Sequence, residues 1–260
     1  MMRRLLACIA VAGLGVSIAP AVVSATPTVA FTMRAVPIPG FPHTGNILGA
    51  GAAATLNFTI GGSEYFGDAP PVIGFRFYAP PGGVVHVDGW PTCSEETLDD
   101  IGPSGCPKGS KAGPIGTVLG YVTFGEERVE ETGKLYPFFR PGGGLDYFAV
   151  GLSPVDIEAM ATGRFSHLGG IDGYGFEEEE EVPLIATVPD GPDASIKAIT
   201  GRFGGATKLH GKTIYYFRLP RSCPPGGFPL KAEVTFAEGG DPSKPEIGRA
   251  SCRERVSSVV

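Results

Sequence analysis

Glycine and proline interrupt this chain at short intervals, and the runs between them are rich in aromatic and β-branched residues. The 40 Gly and 25 Pro make up a quarter of the chain. In a featureless tract that level signals low complexity. Here the breakers separate short strand-like runs, as turns do. Helical periodicity is nearly absent. The pattern predicts an all-β fold, an antiparallel β-sandwich of immunoglobulin-like or jelly-roll-like type.

The strand candidates follow from period-2 alternation. Thr55 to Ile60 places Leu56, Phe58 and Ile60 on one face. Val72 to Tyr78, Val84 to Val87, Ile115 to Phe124, Lys134 to Phe139, Tyr147 to Leu152 and Ile157 to Phe165 follow. Leu184 to Val188, Ala194 to Arg202, Lys212 to Leu219 and Leu230 to Phe236 complete the set. One short helix is expected over 94–101. Ser94 caps it, and Glu95 and Glu96 suit the positive end of its dipole.

Both ends read as separate from the fold. Arg3 and Arg4, the apolar run from Leu5 to Val23, and Val23-Ser24-Ala25 form the three parts of a secretory signal peptide over 1–25. Cys8 makes a poor lipoprotein site, because the apolar stretch follows it. Residues 26–53, rich in Pro, Gly and Ala, read as a leader or an irregular first strand. The sandwich domain is expected over 54–240. Residues 241–260 read as a linker plus a tail, in which 247–256 match the in-frame translation of a sequencing adapter. The natural C-terminus is then expected to lie beyond the sequence given.

Charge narrows the partners. Leaving out Arg3, Arg4, Arg249, Arg253, Arg255 and Glu254, 16 basic residues remain against 26 acidic ones, a net charge of −10. Such a surface repels phosphate backbones and anionic membranes. No nucleic-acid partner is expected, and no membrane span in the mature chain.

Cysteine use fits export. Twelve residues lie between Cys93 and Cys106, which are expected to form a disulfide. Cys223 is left over, as a free thiol, an intermolecular bridge, or half of a pair whose partner lies past the end. If the tail is natural, Cys252 is the alternative partner.

Two segments carry a family resemblance. The first is Pro91-Thr92-Cys93, Leu98, and Cys106-Pro107-Lys108-Gly109-Ser110. The second is Val182-Pro183-Leu184, Leu219-Pro220-Arg221-Ser222-Cys223-Pro224, and Ala232 to Phe236. In order and spacing they resemble an uncharacterised group of actinobacterial secreted β-sandwich proteins, over roughly residues 55–240. The resemblance implies export, a sandwich, and a late cysteine bonded near the C-terminus. It implies no activity and no catalytic residues.

No hydrolase or zinc-protease motif is present. Gly211-Lys212-Thr213 superficially resembles a phosphate-binding loop, but Ala206 stands where the first glycine belongs, and a hairpin turn is the better reading. His43, His86, His167 and His210 share no metal-like spacing. The carboxylates Glu177 to Glu181 read as a solvated, self-repelling loop, not a calcium site. Glu95, Glu96, Asp99 and Asp100 read as helix-face charges. Trp90, Tyr215 and Tyr216 are the candidate glycan-contact aromatics, with core packing favoured for alternate members. No cofactor and no catalytic residue are expected. The sequence therefore predicts a secreted, non-enzymatic protein of the cell surface or envelope, structural or adhesive. A carbohydrate-binding module acting on cell-wall polysaccharide is the alternative, and a hydrolase a more distant one.

Overall fold

Alternating side chains build most of the strands. In the computed structural model, which describes residues 27–41 and 47–254, β1 (Thr28–Val36) presents Val29, Phe31, Met33 and Ala35 to one side. β1 lies in the stretch read as a leader or irregular first strand. β2 (Gly51–Gly61) buries Leu56, Phe58 and Ile60. β3 (Val72–Ala79) and the two-residue β4 (Val84–Val85) follow. Then comes α1 (Glu95–Ile101), where Ser94 Oγ accepts from the Thr97 amide at 3.2 Å, the capping expected of it.

The chain continues through β5 (Gly116–Phe124), β6 (Glu127–Phe139), β7 (Leu145–Gly151), β8 (Glu158–His167), β9 (Phe176–Glu181) and β10 (Ser195–Phe203). β11 (Ala206–Leu209) and β12 (Lys212–Tyr215) form a hairpin whose turn, His210-Gly211, takes positive φ at both residues. Gly211-Lys212-Thr213 is thus part of a hairpin. β13 (Phe217–Arg218), β14 (Phe228–Ala237) and β15 (Pro245–Glu254) complete the set. β15 overlaps the segment read as an appended tail. Leu184 to Val188 is not a strand and holds only an isolated bridge, Ala186 to Asp193. Pro183 and Pro189 bound this stretch and withhold two ladder donors. Residues 1–26, which include the expected signal peptide, lie outside the described residues.

All strand pairings are antiparallel, and thirteen strands belong to one sheet. Its order is β15-β14-β3-β9-β8-β7-β6-β5-β10-β2-β13-β4, with β1 also on β2. One end of this path returns on the sheet, because β15 packs against β1, the strand carried off the path on β2. A Cβ on Gly248 of β15 would come within 2.7 Å of Val29 Cγ2 on β1. The sheet therefore curls around an interior. Bulges at Lys197 and Ile73 help it bend. So does the close approach at Gly120, where a Cβ would lie 2.4 Å from the Ser195 carbonyl oxygen. The all-β, antiparallel class with one short helix is as expected. Opposite walls face each other across the core as in a sandwich, and here both walls belong to one ladder.

Side-chain parity assigns two faces to β6, β7 and β8. Leu135, Leu145, Tyr147 and Ala161 look inward. Phe138 and Phe148 look outward, where Cys93 and Leu98 cover them. The Cys93–Cys106 disulfide, S–S 2.01 Å, ties both ends of the segment that carries α1. This outer cap is almost fully buried.

Candidate functional site

The five-glutamate run is a strand, not a solvated loop. β9 lies between β3 and β8, so both of its edges are hydrogen-bonded. Side chains alternate along it. Glu177, Glu179 and Glu181 face outward, and Glu179 pairs with Arg76, whose Nε donates to it at 2.8 Å. Phe176, Glu178, Glu180 and Val182 face inward. The backbone ladder and the two apolar neighbours outweigh the repulsion among carboxylates, because three of the five point to water.

Glu178 and Glu180 are each 7% exposed. On the inner face Glu178 sits between Phe77 of β3 and Phe165 of β8, and Glu180 between Phe75 and Gly163. Gly163 makes room for both acids. A Cβ there would lie 3.2 Å from Glu180 Cγ, 3.3 Å from Glu178 Oε1 and 2.6 Å from the Leu145 carbonyl oxygen. Glu178 Oε1 is buried without a hydrogen-bond partner. Neither acid forms an ion pair among the described residues. Burial therefore favours their neutral forms. It lifts the Glu180 carboxyl to about 8, with the nearby Asp146 charge adding to the effect. It lifts Glu178 well above the usual carboxylate range, helped by Glu180. The Tyr147 phenol, buried alongside, is raised as well.

Two other buried acids show the contrast. Glu131 accepts from the amides of Leu152 and Ser153 at 2.8 Å each and of Val155 at 3.1 Å. Three donors satisfy a carboxylate. Asp146 is 0% exposed on the outer side of β7. Its Oδ1 accepts from Arg140 Nη1 at 3.4 Å, and Oδ2 has no partner. Burial raises its carboxyl to about 6 against the pull of Arg140.

The inward face of the sheet encloses a cavity of about 260 Å³. Leu56, Phe75, Leu135, Ala149, Ala161 and Phe203 are among its walls, and Glu178 and Glu180 are on it. Val84 and Arg218, both exposed, frame one end. Arg218 Nη2 donates to the Gly49 carbonyl at 3.3 Å. Glu131 lies at the other end.

The aromatics named for glycan contact do not share a face. Tyr216 is 1% exposed, and its hydroxyl donates to the Gly144 carbonyl at 2.8 Å. Trp90 packs on Phe139 and Tyr216 at 4.6 and 5.7 Å between ring centres, and its Nε1 donates to the His86 carbonyl at 2.8 Å. Tyr215, half-buried, turns the other way and meets the edge of Phe41. Cys223 is half-buried and outside any disulfide, and Cys252 lies on β15 opposite Leu230. His43 lies outside the described residues. Among the described residues no three His, Cys, Asp or Glu side chains converge as metal ligands, and no helix is long and apolar enough to cross a membrane.

Sequence reasoning missed Glu178 and Glu180. The available signal was parity: Phe176 and Val182 flank the run in the same phase as these two acids. Comparison with protein-family models, curated proteins and solved structures found no match.

Proposed function

We propose that this chain is a non-enzymatic binding protein that holds a small apolar molecule inside its curled sheet. The observation that carries the reading is the cavity of about 260 Å³ with its largely apolar wall. Ligand pockets of about 300–1,000 Å³ with a few polar groups set in apolar surroundings are the usual sites of small-molecule capture. Ordinary interiors are close-packed. A cavity of this size leaves the atoms of its wall without packing partners on one side. A guest that fills it supplies some of them. The alanines Ala149, Ala159 and Ala161 keep the wall thin where larger residues would close the space.

The export expected from residues 1–25 makes the setting extracellular or cell-surface, and the acidic charge keeps the protein off anionic membranes. A structural or adhesive role in the envelope is compatible with carrying such a guest. The carbohydrate alternative draws no support from Trp90, Tyr215 and Tyr216, which present no common platform.

The test is titration of the purified protein with the neutral fluorescent probe N-phenyl-1-naphthylamine. The expected result is saturable binding at one probe per chain, abolished by Ala161→Phe with the far-UV spectrum unchanged. Absence of saturation, or full binding by the Phe variant, rejects the reading.

A further inference from the structure

Two carboxyl groups on one strand, spaced i to i+2, enter the cavity about 7 Å apart along the backbone. They enter where four apolar or absent side chains surround them: Phe77, Phe165, Phe75 and Gly163. Glu131 is satisfied by three amides and Asp146 has Arg140 beside it, but among the described residues no cation stands beside Glu178. Glu178 is 93% buried by the measure of its 7% exposure, lines the cavity, and has Oε1 without a donor. Once ionised, such a group offers only acceptors. What is missing is a group rich in donors.

The charges around the pair narrow its nature. The other titratable groups facing it are the phenols of Tyr147 and Tyr216, with Asp146 acting from behind β7. On β3 and β8 the arginines Arg76 and Arg164 belong to the outward rows, and Arg76 is engaged by Glu179. Arg218, at the cavity's end, is bonded to the Gly49 carbonyl. The interior is therefore acidic, with no cation of this chain paired to it among the described residues.

We propose that Glu178 and Glu180 form a receptor for a protonated amine, so that the cavity selects amphiphiles with an apolar body and one ammonium headgroup. This rests on the cavity-binding reading above. The ammonium brings three donors and a charge, and the two carboxyl groups bring the acceptors. On binding near neutral pH, one carboxyl releases its proton to solvent and the resulting carboxylate pairs with the ammonium. The apolar body fills the alanine-walled space.

Isothermal titration with octylamine, octanol and octanoate at pH 6, 7 and 8, in buffers of differing ionisation heat, tests it. Octylamine is expected to bind about tenfold or more tighter than octanol at pH 8. Its affinity is expected to rise by up to about tenfold per pH unit, with release of close to one proton. Glu178→Gln and Glu180→Gln are each expected to weaken octylamine by about tenfold and to lower the ratio of octylamine to octanol affinity, while octanol still binds and so reports an intact cavity. Equal binding of octanol or octanoate, a flat pH profile, or amine binding unaffected by either Gln variant overturns the amine receptor while leaving the cavity reading in place. Failure of all three compounds to bind overturns both.

Discussion

The two faces of β7 and its neighbours are built to opposite standards. On the outer face Phe138 and Phe148 are sealed beneath α1 and the Cys93–Cys106 bridge, at 0% and 3% exposure. On the inner face Tyr147 and Ala149 look across a space that the opposite wall does not fill. The same strands thus carry a dense layer that fixes their positions and a loose layer that leaves room. The outer cap gives the wall packing that does not depend on its inner face.

Four measurements test that contrast. Phe138→Ala removes a ring from the dense side and should cost about 3–5 kcal/mol in denaturant unfolding. A cost near 1 kcal/mol would mean that the outer cap is as loose as the lumen. Replacing Cys93 and Cys106 by Ser together should cost about 3 kcal/mol, read from the same curves. An unchanged midpoint would show that α1 is held without the bridge.

The third measurement concerns the inner acids. The carboxyls of Glu178 and Glu180 are raised in the fold, so the folded chain keeps protons that the unfolded chain sheds above its own, lower values. Their contribution is fully present at low pH and is lost as pH rises toward about 8. Each such proton gives a slope of up to about 1.4 kcal/mol per pH unit. Glu180→Gln should flatten the decline of stability between pH 5 and 8 relative to the parent, measured by urea unfolding at each pH. A parallel decline in both proteins would place Glu180 in water. The smallest effect should come from Ser94→Ala, about 1 kcal/mol for the lost cap of α1, seen as a shift of the thermal midpoint.

Much of the dense side was legible in the sequence. Ser94 with Glu95 and Glu96 located the helix, and the spacing of Cys93 and Cys106 in a chain read as exported located the bridge. β14 and the second half of β2 alternate cleanly. The loose side was harder to read. Glu177 to Glu181 offers no contrast in polarity between its two faces, so periodicity is silent and only the phase of Phe176 and Val182 reports it. The first half of β6, Glu127 to Gly133, is charged, and it becomes a strand because β5 pairs with it along its length and amides at Leu152, Ser153 and Val155 hold Glu131. A cavity has no local signature. Alternation says which side chains face inward, but only the distance to the facing wall decides whether they touch.

The position of β3 has a consequence in time. It lies between β9 and β14, and Arg76 meets Glu179 across 103 residues while Tyr78 meets Glu233 across 155. Contacts so remote in sequence close slowly. A chain emerging N-terminus first has made β3 long before either neighbour exists. Until β9 and β14 arrive, both backbone edges of β3 and the apolar face formed by Phe75 and Phe77 stand open to solvent and to other chains. The maturation of this protein is therefore most exposed to misassembly over the interval between residues 79 and 237, when the strand at the heart of the wall is still waiting for both of its partners.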